Sequence, residues 1–302
     1  MASPASFRFL PKDAGRPAKS IGRGHEAHDE KENMNIPFLQ RIDEKTYHAD
    51  SASGRYLSSH SLAQFRICPY TYHLLATGKM RRPETPALAF GRAVHCYTLE
   101  GFDAWNKEFV VTDGPVNPKT GQPFGRTSQK FADFMATQTK EVVSCREFES
   151  IEKMAENVWT HPEAKKLLES GIAEGTIRNE DYCGIAAQAR IDWFSPDYGI
   201  VDLKTTSDGI EWFETAASRF AYAYQMAFYR RLLEIASGTK YPVYVVAVEK
   251  AEPYRAAVFR YAEDVLDQAE AENESAIREL LECREKDEWL TRFQETRPLT
   301  KI

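Results

Sequence analysis

The chain has 302 residues, 42% hydrophobic and 12% aromatic, and its 39 basic and 45 acidic side chains leave a net charge of −6. That composition suits a folded protein with a substantial core and excludes general disorder and a polybasic coat. It leaves open an enzyme whose basic or metal-lined channel lies within an acidic exterior.

The longest uncharged apolar stretch, Tyr241–Val248, is too short to cross a bilayer. Met1–Lys19 carries scattered charge and no apolar segment of the secretory type, so the expectation is a soluble cytoplasmic protein. The cysteines (Cys68, Cys96, Cys145, Cys183 and Cys283) are odd in number, widely spaced and without a C-x-x-C pair. That pattern argues against a disulfide framework, a zinc ribbon and an iron–sulfur cluster.

Residues 1–52 are rich in charged and small residues, and read as a flexible arm with at most a short ordered piece near Ile36-Pro37-Phe38-Leu39. The folded part, 53–302, opens with Ser61-Leu62-Ala63-Gln64 as a capping box. Leu62, Phe65, Tyr72 and Leu75 then keep helical spacing, interrupted at Pro69. Gly78-Lys79 has neither the glycine spacing nor the following Ser/Thr of a phosphate loop, so no ATP hydrolysis is expected. Lys79, Arg81 and Arg82 form a short basic cluster, read first as a solvated charge run and second as a phosphate-tracking patch. A helix is expected over Ala87–Leu99, a Gly/Pro-rich loop over Thr112–Gly125, and helices over Ser128–Val143 and Phe148–Ser170. Strands follow at Gly175–Arg178, Cys183–Phe194 and Ile200–Thr205, then a helix from Trp212 to Leu233 closed by Gly238. A strand pair, Tyr241–Glu249 and Tyr254–Tyr261, precedes a long charged helix, Glu263–Leu290. This order gives an α/β or α+β core with a helical N-terminal part.

The chemistry concentrates where two of those strands meet. If 195–199 form the turn, Phe194 faces Ile200 and Asp192 faces Asp202. Two carboxylates set directly across a strand pair repel, and a cation between them would relieve it. Lys204, two residues past Asp202, shares its face. Mg²⁺ takes hard oxygen ligands and keeps several waters, so two carboxylates plus a substrate phosphate suffice. The competing reading is a surface hairpin with ordinary charges. The apolar neighbours Ile191, Trp193, Ile200, Val201 and Leu203 weigh against it, because charges seldom occupy central strands without cause. His95 could complete the metal site or merely decorate a helix, and Glu100 is a weaker carboxylate candidate. Gln225 and Tyr229 share a helical face, where they could hold a phosphate or a catalytic group, or simply edge an amphipathic helix.

Taken in order, these stretches resemble a known family. Leu57–Pro69 is similar to the opening helix of RecB-like nucleases, Gly91-Arg92-Ala93-Val94-His95 to their histidine motif, and Gln225-Met226-Ala227-Phe228-Tyr229 to their Q-x-x-x-Y helix. Ile191-Asp192 and Val201-Asp202-Leu203-Lys204-Thr205 resemble the paired strands of the PD-(D/E)XK core, a mixed sheet flanked by helices of the restriction-endonuclease type. Over residues 53–290 the likeness is strongest to the RecE-type (exonuclease VIII-type) branch. It implies a 5′→3′ exonuclease on linear double-stranded DNA that leaves 3′ single-stranded tails. It also implies dependence on Mg²⁺, with Mn²⁺ substituting, and independence of ATP. His95, Asp192 and Asp202 would bind metal, Lys204 would act on the nucleophilic water, and Gln225 and Tyr229 would support the site and contact DNA. The resemblance further implies a ring-shaped homo-oligomer (trimer or tetramer), a RecT-like single-strand annealing partner and a bacterial cytoplasm. An endonuclease or single-strand exonuclease on the same core, and a non-catalytic DNA-binding recombination scaffold, remain the alternatives.

Overall fold

The computed structural model describes residues 36–81 and 85–298. Of the expected arm, 1–35 lies outside them, but the part that follows is built into the fold. Gln40 exchanges backbone hydrogen bonds with Thr176 at 2.8 and 2.9 Å, covering a sheet edge. Helix α1 (Glu44–Ala52) begins where the Asp43 side chain accepts the Thr46 amide. Ile36 and Tyr47 are buried. The reading of 1–52 as one flexible arm is therefore corrected for 36–52: few as they are, its apolar side chains find a core.

Helix α2 (Ser59–Ile67) is capped three residues earlier than expected, because Ser58 rather than Ser61 accepts the amide that opens it. Cys68 is extended (φ −158°), as a residue before proline must be, and Pro69 begins α3 (Pro69–Ala76). Helix α4 (Pro86–His95) is capped by Thr85 and continues into a π-helical turn, Cys96–Glu100. After α5 (Phe102–Glu108), the strand β1 (Phe109–Val111) pairs in parallel with β2 (Glu141–Val143). Only α6 (Gln129–Met135) remains of the helix expected over Ser128–Val143, since Val142 and Val143 pair with Val110 and Val111 instead. A capping box at Ser144 and Glu147 opens α7 (Cys145–Thr160), and Pro162 separates it from α8 (Pro162–Leu168).

The main sheet then forms from β3 (Ile172–Tyr182), β4 (Ile185–Ser195) and β5 (Gly199–Thr206). Helices α9 (Phe213–Arg219) and α10 (Tyr222–Ser237) lead to β6 (Val243–Glu249), β7 (Ala256–Arg260) and the closing α11 (Glu263–Lys286). The strand order is β3-β4-β5-β6-β7. Neighbours run antiparallel except β5 and β6, which are parallel because α9 and α10 carry the chain across between them. One face of the sheet packs on α2, α10 and α11 through Phe65, Ile191, Phe228 and Ile277. The other packs on α4, α7 and α8 through Val94, Met154, Leu167, Trp193 and Leu203. Met226, Phe228 and Leu232 are wholly buried, each contributing about 1.5–3 kcal/mol and together anchoring α10. Among the described residues no helix is long and apolar enough to cross a membrane.

Candidate active site

The β4–β5 ladder pairs Ser195 with Gly199, Phe194 with Ile200 and Trp193 with Val201, and pairs no further. Its register brings Asp192 level with Asp202, but the strands part there. β5 stays paired with β6 on its other side from Ile200 to Thr206, Asp202 against Val245 and Lys204 against Ala247. Asp192 Oδ2 takes the freed amide of Leu203 at 3.0 Å. Two like charges thus stand at a split in the sheet, where their side chains need not share one narrow strip.

On the other side of β4, the register sets Glu174 opposite Asp192, between the pairs Ala173–Trp193 and Gly175–Ile191. Glu174 has φ 57°, a left-handed backbone that side chains other than glycine rarely adopt. The alternation of faces changes at this point. Ile191 joins the core under α10, and Trp193, two residues on, joins the opposite one.

His95, on the last turn of α4, places Nδ1 3.2 Å from Asp192 Oδ2. Lys204 Nζ lies 2.7 Å from Asp202 Oδ2. Asp202 is 1% exposed, and its Oδ1 has no hydrogen-bond partner among the described residues. Burial works to raise the Asp192 carboxyl, but His95, then Lys204 and the Leu203 amide, hold it down at about 2. The Asp202 carboxyl goes the other way, to about 6, because burial is joined by the Asp192 charge and Lys204 offsets only part. Burial opposes the charge of Lys204, yet Asp202 and Asp192 outweigh it and raise its pKa, so Lys204 is an ammonium group. The balance at His95 is alike: burial lowers its pKa, and the Asp192 carboxylate more than restores it.

His95, Asp192 and Lys204 line a cavity of about 870 Å³, with Asp202 buried behind Lys204. Glu100, from the π-helical turn, lines it too, as do Glu44 of α1, Glu108, Glu174 and Arg190. Arg190 Nε is 2.5 Å from a Glu174 carboxylate oxygen, and burial raises the Glu174 carboxyl to about 8 despite that partner. Sequence reasoning named Glu100 and missed Glu44, Glu108, Glu174 and Arg190. The one local signal was a pair of charges within otherwise apolar strands. Lys79 and Arg81 do not line the cavity, and Arg82 lies outside the described residues.

Gln225 Nε2 donates to Tyr229 Oη at 2.8 Å. Tyr229 is 4% exposed, and burial, with the Asp192 charge adding to it, raises its hydroxyl pKa. Neither residue lines the cavity. The DNA contact that the resemblance implied for Tyr229 is corrected: its side chain is packed in the core between α10 and the sheet.

Among the described residues no three His, Cys, Asp or Glu side chains converge on one point as a ready-made metal cage. The donors at the split nevertheless fit a hard divalent cation. Asp202 is buried and Asp192 half-buried, the two carboxylates bear like charge, one oxygen is unpartnered among the described residues, and ions of this class need only one or two carboxylates beside water and substrate oxygens. Asp192 and Asp202 would hold it. His95, with Nδ1 turned to Asp192, orients that carboxylate.

No curated protein matches the chain. A crystal structure from Eubacterium rectale, named "Putative exonuclease", has a similar fold, with a TM-score of 0.63 and 16% identity over 87% of this chain and 96% of that one. Residues 58–296 match the model of the PDDEXK-like domain of unknown function (DUF3799). Since that match embraces the split sheet with His95, Asp192, Asp202 and Lys204, the chain belongs to this PDDEXK-like family and carries the fold of the PD-(D/E)XK nucleases.

Proposed function

We propose that this chain is a Mg²⁺-dependent, ATP-independent 5′→3′ exodeoxyribonuclease that resects linear double-stranded DNA to 3′ single-stranded tails. The observation that carries the hydrolytic part is the pairing of Lys204 with Asp202 beside an Asp192 kept ionised by His95. Asp192 and Asp202 would hold a divalent cation, which would supply charge neutralisation and Lewis acidity toward a phosphodiester. The chain's own groups do the rest. His95 keeps the Asp192 carboxylate ionised and in place, and the Leu203 amide fixes its second contact. Lys204, protonated and held by Asp202, donates hydrogen bonds to the attacking water or to the charge that builds on the phosphoryl oxygens. Hydrolysis adds one water across a P–O bond and needs no NTP.

Polarity, preference for an end, the ring-shaped oligomer, the RecT-like annealing partner and the cytoplasmic setting are supported by the motif resemblance. The name of the structural neighbour supports exonuclease over endonuclease. The test is linear duplex labelled at the 5′ or the 3′ end, with Mg²⁺ or EDTA, beside closed circular DNA. We expect Mg²⁺-dependent early release of the 5′ label, intact circles, and loss of about 10²–10³ in rate in Lys204→Ala. Cleaved circles would move the reading to an endonuclease. DNA binding without hydrolysis would leave a scaffold, and an unimpaired Lys204→Ala would sink the site.

A further inference from the structure

A column of stacked groups leads outward from Lys204. Its Nζ lies 5.1 Å from the centre of the Tyr222 ring. The Tyr222 and Phe220 rings are stacked, with centroids 5.7 Å apart and planes 24° from parallel. The Arg219 guanidinium lies 4.6 Å from the centre of the Phe220 ring and is tied to Asp208 Oδ2 at 2.7 Å. All four side chains line the cavity. Ala221, between the two rings, has φ 56° and ψ 37°, a left-handed backbone that is costly for alanine. That turn sends Tyr222 toward Lys204 and leaves Phe220 outside.

Phe220 belongs to no hydrophobic core and is 57% exposed, even with Tyr222 and Arg219 against it. An exposed aromatic ring backed by a second ring, overlain by a planar cation and set beside the lysine proposed to act on a phosphodiester matches one kind of ligand. Nucleobases stack on aromatic rings and guanidinium planes with little regard to sequence. We propose that Phe220, with Arg219, is the platform on which an unpaired base of the strand being cut stacks, next to the phosphodiester at Lys204. This rests on the nuclease reading and adds to it a requirement: the strand enters the site unpaired, so a duplex end opens before it is cut. Phe220 and Arg219 contact the substrate, whereas Tyr222 positions Phe220.

The test is steady-state cleavage of a Mg²⁺-loaded duplex with a short single-stranded end. It compares wild type, Phe220→Ala, Phe220→Leu and Phe220→Trp, each checked for an unchanged melting temperature. An abasic nucleotide is moved through the positions flanking the cut. We expect Phe220→Ala and Phe220→Leu to raise KM about tenfold with kcat within about twofold, and Phe220→Trp to restore it. At one position the abasic nucleotide should reproduce that loss in wild type and add nothing in Phe220→Ala. Unchanged KM in Phe220→Ala, or abasic losses that simply multiply with the substitution at every position, would overturn the platform while the nuclease reading stands. Wild type that cuts no DNA in Mg²⁺ would overturn both.

Discussion

His95, on the last turn of α4, reaches β4 and sets its Nδ1 3.2 Å from the Asp192 carboxylate. A histidine that orients a metal-binding carboxylate typically governs affinity by 10–100-fold. We therefore expect His95→Ala to raise the Mg²⁺ concentration for half-maximal cleavage by about that factor, and His95→Gln, which keeps a donor, to raise it less. The measurement is initial rate against Mg²⁺ at saturating DNA. Half-saturation unchanged from wild type would remove His95 from the site.

Asp202 is buried with an Oδ1 unpartnered among the described residues and the charge of Asp192 nearby, so a bound cation would relieve an unfavourable state of the folded chain. Ligand linkage converts this to stability: Mg²⁺ at about 100 times its Kd adds about 2.7 kcal/mol, a rise in Tm of several degrees. Asp202→Asn should abolish the rise, and EDTA should reverse it in wild type. Calorimetric melts with and without Mg²⁺ decide the matter, independently of any cleavage. A full Mg²⁺ shift in Asp202→Asn would place the cation elsewhere.

Lys250 lines the same cavity, and burial lowers its pKa. No carboxylate pairs with it among the described residues, so a phosphate of bound DNA would be its natural partner. Lys250→Ala should weaken binding at low salt and reduce the slope of log K against log salt by about one. Binding isotherms in EDTA on a Lys204→Ala background, where cleavage is suppressed, give that slope. An unaltered slope would mean that Lys250 meets no phosphate.

Glu249, at the end of β6, accepts from the Arg255 guanidinium at 2.7 and 2.9 Å and from the amides of Ile210 and Arg255 at 3.0 and 3.1 Å. The Arg255 hydrogen bond is the chief reason its carboxyl sits below the usual glutamate value. A carboxyl depressed in the folded state stabilises at pH values above its unfolded pKa, and that contribution is lost as pH falls through the folded one. Stability from Glu249 should therefore be level at neutral pH and decline below about pH 4. Glu249→Gln should cost about 2 kcal/mol at pH 7 and much less at pH 3. Urea melts at the two pH values test this, and equal losses at both would show that the charge of Glu249 is not what matters.

Much of the strand and helix order was legible locally. The turn at 195–199, the strands through Ile191–Phe194 and Ile200–Thr205, and the Pro69 break each depend on neighbours within a few residues, and each appears in the fold. The Val142–Val143 strand was hidden because its partner lies some thirty residues earlier, in Val110–Val111, and a short apolar segment cannot announce which partner it will find. Ile36–Ala52 was hidden for the same reason: Gln40 pairs with Thr176, far along the chain.

By itself the sequence determined that Asp192, Asp202 and Lys204 would lie close together, because a tight turn and a period of two leave them little choice. Only the tertiary structure decided what surrounds them. It opened the ladder so that Asp192 takes the Leu203 amide, brought His95 across from α4, gathered Glu44, Glu100 and Glu174 around one cavity, and put Tyr229 under the sheet while leaving Phe220 at the cavity. The reason is physical. Backbone periodicity is a property of a few consecutive residues, whereas burial and the charges that set Asp192 near 2 and Asp202 near 6 come from segments separated by up to about a hundred residues.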